Sequence, residues 1–126
     1  MLSKSNKQVS INDLNIISSF DSLPFWQQAE IMKFLEYAII GYTAHKKTFC
    51  ARDIVGGSNT AWSFLPILAI YNYWLDNGKS PEEAYDQSGK DLGFILQKTL
   101  VLSGLEFRRL DDTEQTVFGA TEYERL

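Results

Sequence analysis

The chain has 126 residues, a formal net charge of −4 at pH 7, and a composition that is 44% hydrophobic and 13% aromatic. A chain of this length is expected to form a single helical domain over residues 1–126 and to bury roughly two thirds of its unfolded surface. Its acidic balance argues against a nucleic-acid partner or an anionic membrane surface, because both are bound through clustered lysine and arginine.

The N-terminal segment indicates a cytoplasmic protein. Its lysines lead into no apolar stretch of the kind that a secretory signal requires, and residues 1–9 are expected to be a flexible end. The apolar run 31–42 contains Lys33 and Glu36, and the run 64–73 is about half the roughly 20 residues that a bilayer span needs. We therefore expect no membrane partner.

Two helices are predicted in the first third of the chain. The first extends from the cap at Ser10 to about Phe20, and the second follows the start signal at 21–24 and ends near Tyr42. The second helix is apolar on several sides. A helix of that kind is either buried by more than one neighbour or buries one face against another chain.

The middle of the chain predicts a short helix and then a central one. Thr48 caps the short helix, which covers 49–55 and ends at two glycines. An apolar helix near 63–77 follows, and Asn77-Gly78 supplies its left-handed stop. Pro66 is unfavourable deep inside a helix, so we expect the regular helix to start at 63–65. The fold class is mainly all-α, a compact bundle of about five helices around this central helix.

The fifth helix has the clearest boundaries. Ser80 is a helix cap, Pro81 occupies a position where its missing N–H costs nothing, and Glu83 completes a capping box. The helix is expected to end near Leu102, with Gly104 just beyond its last turn.

Two glycines interrupt this fifth helix. Gly89 and Gly93 are four residues apart, and together they cost about 2 kcal/mol relative to alanine. We expect a close crossing by another helix at this point to offset that cost.

The C-terminal segment allows three structures. Residues 105–110 and 115–120 form a small hairpin around the turn at 111–114, Asp112 caps one more short helix, or the segment is coil; helix or coil is favoured over the hairpin. Residues 121–126 are expected to be a loose end.

The search for chemistry in the sequence predicts no catalytic residue, no metal and no cofactor. His45, Cys50 and Asp53 are close in sequence, but one histidine and one cysteine fall short of the usual ligand count of a zinc site. The loop 56–60 resembles an anion-binding turn before a helix, yet it lacks the preceding strand and the Lys-Ser/Thr pair of a phosphate-binding loop.

The uneven charge distribution favours a binding protein. Residues 76–126 hold eleven acidic and six basic side chains, whereas residues 1–75 hold five and six. The most specific hypothesis is a bacterial immunity or antitoxin-type inhibitor that neutralises a basic, nuclease-like toxin by direct protein–protein binding. The alternatives are a structural or regulatory subunit or homodimer of a larger assembly, and a small enzyme with a site near 52–60. The candidate partner-binding residues are Glu106, Asp111, Asp112, Glu114, Glu122, Glu124, Glu82, Glu83, Asp86, Trp62 and Tyr73.

Overall fold

Five helices and four short strands make up the part of the chain that the computed structural model describes, residues 6–7, 16–55, 65–110 and 122–126. The predicted mainly helical class is confirmed, and a small antiparallel sheet is added to it. In chain order the elements are β1 (Asn6–Lys7), α1 (Ser18–Asp21), α2 (Phe25–Thr43), β2 (Thr48–Phe49), α3 (Ala51–Val55), α4 (Leu68–Asp76), α5 (Pro81–Ser103), β3 (Phe107–Leu110) and β4 (Glu122–Arg125).

Helix α5 occupies the centre of the helical part, instead of the predicted helix near 63–77. It buries residues along most of its length and packs against all four other helices, α1, α2, α3 and α4. Within α4 only Ile70 is fully buried. The apolar composition of α4 predicted a buried, central position. Its bulky rings, such as Tyr71 and Trp74, are instead half-buried at the edge of the core.

Helix α4 also begins later than expected, at Leu68 instead of 63–65. Three i to i+3 hydrogen bonds of 3.0 to 3.2 Å close a tight turn over residues 65–70. Pro66 fits this turn, since a residue there needs no N–H donor of its own. The end of the helix is as predicted, with Gly78 at a φ of 87°.

The boundaries of α5 are confirmed in detail. The backbone N–H of Glu83 donates to Ser80 Oγ over 3.2 Å, and the Ser80 N–H donates to Glu83 Oε1 over 3.1 Å. Pro81 is the first helical residue, and Gly104 adopts the left-handed conformation with a φ of 79°. Local hydrogen bonds of this kind depend on neighbours in sequence, which is why the pattern predicts them well.

The first three helices agree in part with the prediction. The start and end of α2 are confirmed. Of the helix predicted over 10–20, residues 10–15 lie outside the described residues, and the described part is helical from Ser18, in α1 (Ser18–Asp21). The predicted helix over 49–55 is wrong at its start, because Thr48–Phe49 is a strand and α3 begins at Ala51. Phe49 is fully buried and stacks on Tyr123 with ring centroids 5.7 Å apart, which favours the extended pairing.

The sheet has the order β1-β3-β4-β2, and every neighbouring pair is antiparallel. Strand β3 agrees with the first strand of the hairpin alternative, and the favoured helix or coil is wrong for Phe107–Leu110. The partner of β3 is β4 instead of residues 115–120, which lie outside the described part of the chain. The expectation of a loose end at 121–126 is therefore wrong for Glu122–Arg125, which form β4. The expectation of a flexible end at 1–9 is wrong for Asn6–Lys7, which form β1 and join the sheet.

Tyr123 explains why the C-terminal segment is held in place. Its side chain is 3% exposed and lies between the rings of Phe49 and Phe107, 5.7 and 5.9 Å away. Burial raises the pKa of Tyr123 to about 12. Burying a ring of this size stabilises the fold by about 2 kcal/mol.

The expected close helix crossing at Gly89 and Gly93 is wrong. A Cβ atom added to either glycine would meet no atom within 4 Å. Gly89 is exposed and Gly93 is half-buried, so neither lies under a neighbouring helix. The two glycines reduce the intrinsic stability of α5 without a packing gain to offset them.

Candidate protein-binding surface

The predicted acidic residues that lie in the described ranges do not form one surface. Glu82 and Asp86 are exposed in the first turns of α5, and Glu106 is exposed just beyond the end of the same helix. Since an α-helix rises about 1.5 Å per residue, roughly 30 Å separates the two groups. Asp111, Asp112, Glu114 and Trp62 lie outside the described residues.

Two of the predicted carboxylates are engaged within the fold. Glu83 completes the cap of α5, and hydrogen bonds from the Ser80 backbone and side chain lower its pKa. Glu124 Oε1 accepts a 2.6 Å hydrogen bond from Arg108 Nε and also contacts Arg108 Nη2 across the β3–β4 pair. Both carboxylates stabilise local structure, and the charge of Glu124 is paired with Arg108.

Glu122 is the first residue of β4 and is partly buried. Its Oε2 atom is shielded from solvent and has no hydrogen-bond partner in the described residues. Burial raises the pKa of Glu122, the negative charge of Asp53 raises it further, and Lys46 opposes both. A carboxyl group in this environment is a weak candidate for meeting a basic partner.

The predicted aromatic anchor Tyr73 is only half-exposed. Its ring packs edge-on against Trp74 with the centroids 5.1 Å apart and the planes at 88°. The pair covers one side of α4, so Tyr73 contributes to local packing.

The alternative site near 52–60 is described only up to Val55. Asp53 Oδ2 accepts a 2.9 Å hydrogen bond from the Cys50 N–H and so caps α3. Burial raises the pKa of the Cys50 thiol, and the charge of Asp53 adds to the shift, whereas a nucleophilic cysteine needs a lowered pKa. No group of three His, Cys, Asp or Glu side chains in the described ranges is arranged to hold a metal ion.

After Ile16, the most exposed large apolar side chains of the described residues are three aromatic rings on α2, those of Phe25, Trp26 and Tyr37. One side of this helix is built into the core through the buried residues Ile31, Leu35 and Ile39. The opposite side carries Trp26 and Tyr37, which are 65% and 62% exposed. These positions lie on a line of exposed residues with alternating spacings of four and three, which we call the α2 stripe: Trp26, Glu30, Lys33, Tyr37 and Ile40.

The α2 stripe was not among the residues that the sequence analysis selected. The one available signal was the width of the apolar pattern in this helix, which predicted burial on several sides or a face packed against another chain. Periodicity alone does not say which side of such a helix the rest of the chain covers, because that depends on where α5 and α3 pack.

Comparison with known proteins assigns neither a family nor a function to this chain. The chain matches no family model, no curated protein and no solved structure. None of the helices in the described ranges is long and apolar enough to span a bilayer. The function is therefore inferred from the geometry of the α2 stripe.

Proposed function

We propose that this protein works as a protein-binding domain and that the α2 stripe is its contact surface. The observation that carries the proposal is the exposure of Trp26 and Tyr37, both above 60%, on one line of a helix whose other side is buried. Aromatic side chains of this size gain the most free energy from leaving water, and tryptophan and tyrosine are the commonest anchors of protein interfaces.

The stripe is also well suited to binding because it is rigid. Helix α2 has 19 residues, and its buried side is fixed by Ile31, Leu35 and Ile39, each 1% exposed or less. A partner that docks on it therefore orders only side chains, which keeps the entropic cost of binding low. Docking through one exposed face of a helix is a recurrent way to contact another polypeptide.

Site-specific photocross-linking in the cell that makes the protein tests this proposal. A photoreactive residue replaces Ala29, which is exposed beside the stripe, and a second variant carries it at Lys90 on the exposed side of α5. We expect a polypeptide to be captured from position 29 and not from position 90. Capture should be lost in the W26A/Y37A variant.

The matched control for that variant is F94A. Phe94 is 42% exposed on α5, away from the stripe, so its removal should leave capture from position 29 unchanged. If position 29 captures no more than position 90, or if W26A/Y37A captures as well as the unmodified protein, the α2 stripe is not the contact surface.

A second candidate function is neutralisation of a basic, nuclease-like toxin. It is supported by the net charge of −4 and by Glu82 and Asp86, which are exposed four residues apart and so share one face of α5. Exposed charges at the rim of an interface mainly raise the association rate, and they do so most at low salt. The E82K/D86K variant should therefore slow association with a basic partner at low ionic strength, whereas D76K, on α4, should not.

A further inference from the structure

We infer that the α2 stripe binds a second copy of this chain, with the two α2 helices packed antiparallel about a two-fold axis. The inference rests on the proposed function, since it names the occupant of the same surface. The spacing of the stripe is its first support. Alternating steps of four and three residues are the pattern by which one helix packs along another over several turns.

The two charges in the middle of the stripe identify the partner. Glu30 and Lys33 lie between Trp26 and Tyr37, and neither forms an ion pair within the described ranges. Glu30 and Lys33 are three residues apart on one helix face and can offset each other only in part, so an apolar partner would still remove both charges from water at a cost. A second copy of the same stripe offers the opposite charge to each of them.

The charges also select the orientation. In a parallel pair with two-fold symmetry each residue faces itself, so Glu30 would oppose Glu30 of the partner subunit and Lys33 would oppose Lys33 of the partner subunit. Like charges in contact are destabilising. An antiparallel pair avoids both repulsions.

One antiparallel register pairs four of the five residues of the stripe. When the two-fold axis lies at the level of Ile31 and Met32, Glu30 faces the partner's Lys33 and Trp26 faces the partner's Tyr37. Symmetry repeats each contact, which gives two ion pairs flanked by two aromatic pairs. Aromatic pairs contribute beyond the area that they bury, so the ends of this contact are its strongest part.

Charge reversal tests this register with the purified full-length chain. Sedimentation equilibrium at low salt should show a concentration-dependent dimer. Each of E30K and K33E should weaken it by about ten-fold, since one substitution creates two like-charge contacts of about 0.7 kcal/mol each. The control D86K makes the same charge change as E30K on α5 and should leave the dimer unaffected.

An equal mixture of E30K and K33E should recover the affinity of the unmodified dimer, because both contacts of the mixed pair then join opposite charges. The E30K/K33E double variant should recover it too. An unmodified chain that stays monomeric up to about 1 mM would overturn the inference. A mixture that associates no better than the separate variants would overturn it as well.

These outcomes are distinct from failure of the proposed function. If position 29 captures a different polypeptide in the cell while the purified chain is monomeric, the stripe is a contact surface but its occupant is not a second copy. If nothing is captured there and the chain is monomeric, both proposals fail.

Discussion

Trp74 Nε1 donates a 2.8 Å hydrogen bond to Asp91 Oδ2, and the same oxygen accepts a 2.6 Å hydrogen bond from Ser19 Oγ. One partly buried carboxylate on α5 therefore holds both α4 and α1. Hydrogen bonds to an ionised acceptor are about twice as strong as those between neutral groups. This junction connects three helices that are separated along the chain by up to 72 residues.

Removing the Asp91 carboxylate should destabilise the protein by about 2 to 3 kcal/mol. The D91A variant leaves the Ser19 hydroxyl and the Trp74 N–H without their acceptor, and unpaired buried donors carry the full cost of desolvation. Urea unfolding measures the change. D86A is the control, because Asp86 is exposed on the same helix and should shift the free energy of unfolding by no more than about 0.5 kcal/mol. Equal effects of the two variants would show that the junction is not important for stability.

The cap at Ser80 should be measurable in the same way. The S80A variant loses the acceptor for the Glu83 N–H and should lower the free energy of unfolding by about 1 kcal/mol. Lys79 is exposed and precedes the cap, so K79A serves as the control and should have little effect. An unfolding midpoint for S80A that equals that of K79A would contradict the capping assignment.

The other half of the capping box should make stability depend on pH. The pKa of Glu83 is lowered in the folded protein, so its ionised form stabilises the fold above the usual glutamate pKa, and this contribution is lost as the pH falls through the lowered value. The E83Q variant should therefore be less stable than the unmodified protein at pH 7, and the difference should shrink on acidification. A difference that stays constant from neutral to acidic pH would exclude this role for the carboxylate.

Replacing Gly89 with alanine should stabilise the protein. The added Cβ meets no atom within 4 Å, so the helix gains about 1 kcal/mol of propensity with no steric penalty. Gly104 provides the opposite control, since its φ of 79° disfavours alanine and G104A should destabilise by about 1 kcal/mol. Thermal unfolding distinguishes the two. A destabilised G89A variant would indicate a close contact at this glycine after all.

The boundaries of α5 could be predicted because local signals control them. Ser80, Glu83 and Gly104 act within one turn of the helix ends that they define, so the sequence specifies their geometry. The burial of Tyr123 could not be predicted in this way. Its environment comes from Phe49 and Phe107, and no periodic pattern in the last residues of the chain shows that both rings meet there.

The α2 stripe likewise combines a feature set by local sequence with one set by tertiary packing. That the chain is mainly helical and that α2 is apolar on more than one side follows from the amino-acid pattern, because helical periodicity depends on residues three and four apart. That the side with Ile31 and Leu35 enters the core, while the side with Trp26 and Tyr37 is exposed, follows from the packing of the other elements. Packing buries one apolar face by contact with those elements. Which face is left over is a property of their arrangement in space.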